Sequence, residues 1–399
     1  MLLTGCNGAE QAHDPAIIDA SYQEILQTQL LDAKPGDVII IPEGVFSFDR
    51  SLSLTVDGVT IRGAGMDKSI LSFKGQVAGA EGLLVTASDF TIENLAIEDT
   101  KGDALKINNG NNIIIRGVRT EWTGGPKTSN GAYGIYPVQT TNVLMEGNVA
   151  IGASDAGIYV GQSKNVIMRG NRAEYNVAGI EVENTINADV YDNIAIHNTG
   201  GILVFNMPNL SQEGRNTRVY NNKIYDNNTK NFAHKGTAVA SVPAGTGVAI
   251  NSNDFVEVFN NEIRDNKTAN IIVSSVYSTN YSSSDMGDGY DAYPEGIYIY
   301  DNTLGGGGTS PDGLELKALK LAMFGIGGAL PDVLWDGYAD TDKTVDGVMP
   351  ANLRICVNNG DAGVLNADGP NGFKKPHMAT EDHQCDLPKL PAVVLESAQ

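Results

Sequence analysis

Cysteine, histidine and basic side chains are scarce in this chain, which carries 3 Cys, 5 His and 27 Lys+Arg against 48 Asp+Glu in 399 residues. The resulting formal charge of −21 repels nucleic acid and anionic membrane surfaces, and sets both aside as partners. No run of 18 apolar residues follows the start, so no segment is expected to span a bilayer. The few histidines match no metal motif: His13, His197 and His234 are scattered, and His377, His383 and Cys385 lack a common ligand spacing. For Ca²⁺ the densest candidate set is Asp285, Asp288 and Asp291, where intervening glycines let oxygens converge. EF-hand spacing and its closing Glu are missing there, and a solvated acidic loop is the competing reading.

What the chain has instead is a period. A short Gly-apolar-x-apolar segment recurs at Ala104–Ile107, Gly134–Pro137, Gly157–Val160, Gly179–Val182, Gly201–Val204, Gly247–Ile250 and Asn270–Val273. Successive leading apolar residues lie 22 or 23 positions apart, or 30 and 46 where residues are inserted. A fixed period in this range predicts a solenoid whose repeats contact mainly their neighbours. After each segment comes a second run with inward apolar positions, such as Val166 and Met168, then an Asn, then a small or apolar residue two places on. Side chains alternate faces along a strand, so each repeat accounts for three short strands, the sides of a roughly triangular coil. Asn148, Asn171, Asn193, Asn222, Asn261 and Asn302 form the Asn column. Asn tolerates left-handed backbone geometry, and its amide can bond to the coils above and below, so the column predicts an internal ladder of structural residues.

The ends read differently. Leu3-Thr4-Gly5-Cys6 fits a bacterial lipobox with Cys6 as the lipidated residue, and residues 1–15 read as the remnant of an export signal and a polar tether. The five residues before Cys6 are too few for a whole signal, so the match requires a start upstream or is accidental. Ser21-Tyr22-Gln23-Glu24 has capping-box spacing and opens an expected helix over 22–32 that plugs the first coil. The β-helix and its capping helix are assigned to 16–304, and a cap and tail to 305–399, with helical spacing over 314–324. With Cys6 set aside, Cys356 and Cys385 remain as a pair, which fits a disulfide formed in an oxidising compartment.

The repeat over residues 35–304 resembles the right-handed parallel β-helix superfamily, which includes pectate lyases, polygalacturonases and alginate epimerases. More narrowly, with its lipobox, the chain resembles bacterial parallel β-helix lipoproteins of unsettled role, often encoded beside a haem-containing lipoprotein. The resemblance implies an all-β, single-stranded parallel β-helix with an irregular C-terminal cap. It also implies a lipid-anchored place in the bacterial envelope, periplasmic or at the cell surface, with membrane contact only through the anchor.

Enzymes of this fold place their chemistry on the outward face of the first strand. There the repeat puts Lys106, Tyr136, Tyr159, Glu181 and Glu183 on one face within a few coils, with Asp155 at the start of the Tyr159 strand. Aromatic faces stack on sugars, carboxylates bind hydroxyls or Ca²⁺, and Lys or Tyr can serve as acid or base. Cross-strand Tyr–Tyr and Lys–carboxylate pairs also stabilise any exposed sheet. The Asp-Pro-His of the epimerases and the Gly-His-Gly of the polygalacturonases are absent, and only Lys106 stands in the outward column where pectate lyases use Arg. Two readings follow. One is a non-catalytic scaffold docking an envelope protein, such as a haem-containing lipoprotein, or a glycan. The other is a polysaccharide lyase or epimerase using this face, with Ca²⁺ as its cofactor.

Overall fold

The computed structural model describes residues 20–279 and 286–396. Cys6, with the whole segment 1–15, and Asp285 lie outside the described residues. The chain winds into one stack of parallel strands, three to a coil. The first strands of the central coils are Ala156–Gly161, Ala178–Glu183, Gly200–Phe205, Thr246–Asn251 and Ala269–Ser274, each paired in parallel with the next. The second strands run Lys164–Arg169, Ile186–Tyr191, Arg215–Tyr220, Asp254–Phe259 and Ile297–Tyr300, and the third are short, such as Arg172–Glu174 and Ile194–Ile196. The register places Ile158, Ile180, Ile202, Val248 and Ile271 in one fully buried column, and Val166, Ala188, Thr217 and Val256 in another. Burying each large aliphatic side chain stabilises the coil by roughly 1.5–3 kcal/mol. That is why the apolar spacing, more than any single residue, sets the fold.

The Asn column is a continuous ladder. Asn171 donates its backbone N–H and its Nδ2 to Asn193 Oδ1, both at 2.9 Å, and Asn193 repeats the pattern on Asn222 at 2.9 and 3.0 Å. The left-handed residue at this corner is not the ladder Asn but its predecessor: Gly147, Gly170, Asp192, Asn221, Asn260 and Asp301 all have φ between 53° and 64°. The positive φ turns the chain, and the next residue then points its amide inward along the stack. A second buried ladder, Asn176, Asn198, Asn227 and Asn266, closes the following corner in the same way. There the left-handed residues are Tyr175, His197, Asp226 and Asp265. His197 is therefore a turn residue, stacked 5.3 Å from Tyr175.

Both ends are covered. The first helix, α1 (Ala20–Asp32), buries Leu26 and Leu30, lays Tyr22 4.0 Å from the Phe46 ring, and exchanges two hydrogen bonds between Gln23 and Asp49. Past Leu304, where the regular repeat ends in the sequence, the stack goes on. Val333–Trp335 pairs with the strand Ala269–Ser274, Ile355–Asn358 with Ile297–Tyr300, and Val364–Asn366 with Val333–Trp335. The second helix, α2 (Leu314–Phe324), lies between these coils and packs Leu319, Met323 and Phe324 beside Leu330, Leu334 and Leu365. Among the described residues no helix is long and apolar enough to cross a membrane.

Cys356 and Cys385 form a disulfide, which starts a tail that runs back over the second-strand face. Tyr298 donates its hydroxyl to Asp386, Leu390 N–H donates to Glu257, and Val393 N–H donates to Asp189. Beneath the tail, Tyr191, Tyr220, Phe259 and Tyr300 stack coil on coil at 4.8–5.0 Å between ring centroids. The Cys385→Ser variant is expected to lose about 2–4 kcal/mol of stability. It should also expose residues 386–396 to limited proteolysis while the coils before them stay protected.

Candidate functional site

The outward face of the first strands carries the site, but it is not an open surface. Leu203, Phe205 and Ala249 are covered by Met207, Val239 and Val242 from the long insertion between the strands Gly200–Phe205 and Thr246–Asn251. This roof ends over Glu181 and Glu183. It leaves a cavity of about 290 Å³ lined by Tyr133, Asp155, Glu181, Glu183, Met207, Pro208, Leu210 and residues 236–239. The structure thus brings Asp155, Glu181 and Glu183 into one pocket beside Tyr133, with Tyr159 hydrogen-bonded to Glu183. Lys106 and Tyr136 stand at the side facing the earlier coils.

Each position has a local cause. Tyr136, Tyr159 and Glu181 occupy one outward register column in successive coils. Tyr133, Tyr136 and Tyr159 therefore meet as a cluster, with centroids 4.3 to 4.9 Å apart. Gly161 pairs with Glu183 across the sheet and has no side chain to block Tyr159, which leans over it to donate its hydroxyl to Glu183 Oε1 at 2.7 Å. A Cβ at position 161 would sit 2.0 Å from the Tyr159 hydroxyl. Gly161→Ala is therefore expected to break that bond and cost about 1–3 kcal/mol, read as a lower denaturation midpoint.

The electrostatics are one-sided. Asp155 and Glu181 are 7 % and 1 % exposed, and Glu181 Oε2 has no hydrogen-bond partner. Burial first, then the neighbouring Glu183 and Asp103 charges, push the Asp155 carboxyl up to about 8, against a smaller lowering by the Tyr133 hydroxyl. Burial and the charges of Asp155 and Glu183 hold Glu181 well above the usual carboxylate range. Burial also raises Glu183, less so because Tyr159 donates to it. At the mouth Lys106 lies 3.6 Å from Asp103 and 4.9 Å from the Tyr136 ring centroid. The pocket thus holds three carboxyl groups of raised proton affinity, Asp155 keeping its proton at neutral pH and the rise at Glu183 opposed by a phenol donor. Carboxyl groups set apart in this way are what general acid–base catalysis uses.

The Ca²⁺ candidates are not gathered. Asp288 is exposed, and Asp291 instead joins Asp254 and Glu295, with ligand oxygens within 4.8 Å of one another. Lys343 already fills that group, its Nζ bonded to Asp291 and, at 2.7 Å, to Glu295. That ammonium is bonded to two of the three carboxyl groups, and of the Ca²⁺ candidates Asp285, Asp288 and Asp291 the described ones are placed apart, Asp288 exposed and Asp291 in this ion pair. No other group of three such ligands lies so close among the described residues. The tail set also fails as a metal site, because Cys385 is in the disulfide and His383 Nδ1 bonds the Ile355 carbonyl at 2.8 Å.

Sequence reasoning missed Tyr133, Asp103 and the roof. Tyr133 pairs with Ala156 and lies two residues before the inward Ile135, so alternation predicts an inward side chain. The corner breaks that parity, and Tyr133 packs with the outward cluster.

Residues 44–211 match the family model described as the right handed beta helix region. The chain is a right-handed parallel β-helix. Its fold is that of the parallel β-helix superfamily. No curated protein sequence matches it. Similar solved structures include the A-module of the Azotobacter vinelandii mannuronan C-5 epimerase AlgE4, at 16 % identity and a TM-score of 0.49, covering 81 % of this chain and 88 % of that one. The pectate lyase Pel9A is 14 % identical with a TM-score of 0.41, covering 69 % and 70 %. The catalytic unit of the GH87 α-1,3-glucanase from Streptomyces thermodiastaticus is 14 % identical with a TM-score of 0.46, covering 82 % and 49 %. At such identities the likeness is one of fold.

Proposed function

We propose that this β-helix is a glycan-active enzyme whose acid–base centre is the pocket of Asp155, Glu181, Glu183 and the three tyrosines. One observation carries the reading: carboxyl groups from neighbouring coils are held beneath a loop, against a cluster of phenol rings, with Tyr159 donating to Glu183. Asp155 keeps its proton at neutral pH and is the group suited to protonate a leaving oxygen. Glu183 is suited to act as base or nucleophile. Two carboxyl groups in these roles are what glycoside hydrolysis uses.

Elimination and epimerisation fit less well. Both remove a proton beside a uronate carboxylate, and that carboxylate needs a cation to neutralise it. Lys106, the cation near the pocket, is taken up by Asp103. A docking scaffold for a haem-containing lipoprotein or other envelope protein calls for an open face, and here the face is roofed. The Cys356–Cys385 disulfide supports action outside the cytoplasm, and anchoring through Cys6 at the envelope is part of the proposal.

The test is a panel of neutral, amino and uronic oligosaccharides, followed both for new reducing ends and for unsaturated products. New reducing ends that disappear in the Glu183→Gln variant support hydrolysis. Unsaturated products would replace it with lyase chemistry. No turnover of any glycan, together with an envelope protein that co-purifies with wild type but not with a Glu181→Gln, Glu183→Gln double variant, would favour docking.

A further inference from the structure

The pocket is closed on one side and lined by three acidic side chains, and these two facts select a ligand. Toward the later coils, Met207, Val239 and Val242 fill the face over Leu203, Phe205 and Ala249, so a polymer cannot run on past Glu183. Toward the earlier coils the half-buried Tyr136 and the Lys106–Asp103 pair leave the way in. The cavity of about 290 Å³ lies at the small end of ligand pockets, ~300 Å³. A chain can therefore enter by its end only, with one residue innermost.

The charges decide which residue that is. Among the described residues Asp155, Glu181 and Glu183 line the cavity and no cationic side chain does. Glu181 is 1 % exposed, and its Oε2, facing no donor, is an acceptor waiting for one. A buried orphan acceptor costs ~1–3 kcal/mol, more when charged, so a ligand that supplies an N–H there gains what the free protein lacks. A uronate would add a fourth carboxyl group to three that already raise one another's proton affinity, and is disfavoured. A single metal ion fits poorly, because these oxygens do not converge as those of Asp254, Asp291 and Glu295 do. That second cluster shows how this protein settles a carboxylate group: an ammonium, Lys343 Nζ, bonds to two of its three members, Asp291 and Glu295. The tyrosine rings add faces that attract a cation.

We propose that this pocket receives the terminal residue of a glycan whose end sugar carries a free amino group, with the ammonium donating to Glu181 Oε2 between Asp155 and Glu183. The assignment rests on the glycan-active reading of the same site and names its substrate class. Glu181 is then the residue that selects the amine, distinct from the acid and base.

Binding is measured by calorimetry with the full chain at fixed pH, using methyl glycosides of glucosamine, N-acetylglucosamine, glucose and glucuronic acid and their galacto counterparts, with and without Ca²⁺. The free amine is expected to bind about tenfold or more tighter than its acetylated form, as a charge-assisted hydrogen bond to a buried group provides. The uronate should be weakest. Glu181→Gln, which keeps the shape of the side chain but removes the carboxyl group, should erase the amine preference. Equal binding of the amine and its acetylated form overturns the inference and leaves the glycan reading standing, as does an amine preference that survives in Glu181→Gln. Binding of Ca²⁺ alone, lost in that variant and unaffected by amino sugars, also overturns it. Failure of every sugar to bind overturns both readings. The wild-type comparison of amine with acetamide needs no variant, so it decides the matter even if Glu181→Gln does not fold.

Discussion

Asn193→Ala is expected to destabilise the protein by about 3–6 kcal/mol, the sum of two or three buried polar groups left without partners at ~1–3 kcal/mol each. Asn193 Oδ1 receives both the backbone N–H and the Nδ2 of Asn171, and Asn193 Nδ2 donates to the Met168 carbonyl and to Asn222. Alanine removes all of these at a site that is 1 % exposed, where water cannot replace them. Because each repeat is stabilised mainly by its neighbours, the loss interrupts the stack at its centre. Urea unfolding followed by circular dichroism should show a lower midpoint. An equivalent change further along the ladder, Asn302→Ala, should cost less, since Asn302 is only part-buried. A drop below 1 kcal/mol at Asn193 would mean that the ladder is satisfied in some other way.

Turnover in Glu183→Gln and Asp155→Asn is expected to fall by roughly 10²–10⁴-fold, the contribution of a positioned acid or base. Gln at 183 still accepts the Tyr159 hydroxyl and removes only the charge, so a loss of rate without loss of fold isolates the chemistry. The pH profile follows from the directions of the two groups. Burial and the Glu183 charge raise Asp155 to about 8, so the acid limb should fail as pH passes about 8. Glu183 is raised by burial alone, against Tyr159, so the base limb should fail toward lower pH.

Stability carries the same signature. A carboxyl whose folded value lies above its ordinary 3.8 is protonated in both states at the acid end, and there it costs nothing. As pH rises from about 4 to about 8 the unfolded chain releases the proton more readily than the folded one, and stability is lost across that window. Asp254, pushed to about 8 by burial and the charges of Asp291 and Glu295, adds to the same slope. Thermal midpoints should fall over this range in wild type and fall less in Asp155→Asn. A flat profile in wild type would contradict the burial of these carboxyls.

Much of the scaffold was legible because its information is local and repeated. Ile158, Ile180 and Ile202 recur at the spacing of one coil, and a strand's alternation then says which neighbours face in. The ladder from Asn148 to Asn302 showed for the same reason. The second ladder, Asn176 to Asn266, was equally periodic, five residues further on, and escaped because its corner follows a strand of only three residues. The continuation through Val333–Trp335 and Val364–Asn366 was hidden by α2, which interrupts the spacing without interrupting the pairing.

The candidate site was half legible. Register alone put Tyr136, Tyr159, Glu181 and Glu183 on one face, since parallel coils stack equivalent positions. Their environment depends on contacts between segments far apart in sequence, which no period encodes. Met207, Val239 and Val242 could be seen as an insertion, yet nothing in their order said that they fold back over Leu203 and Ala249 and stop short of Glu181. Lys343 reaching Asp291 across 52 positions was likewise invisible, and it places one of the Ca²⁺ candidates in an internal ion pair.

The sequence by itself determined the coil, the inward columns and the outward face, because each follows from side-chain alternation at a fixed repeat length. Only the tertiary structure decided that this face is a closed acidic pocket and not an exposed strip. Burial, and with it the proton affinity of Asp155 and Glu181, is set by which distant loop excludes water from them.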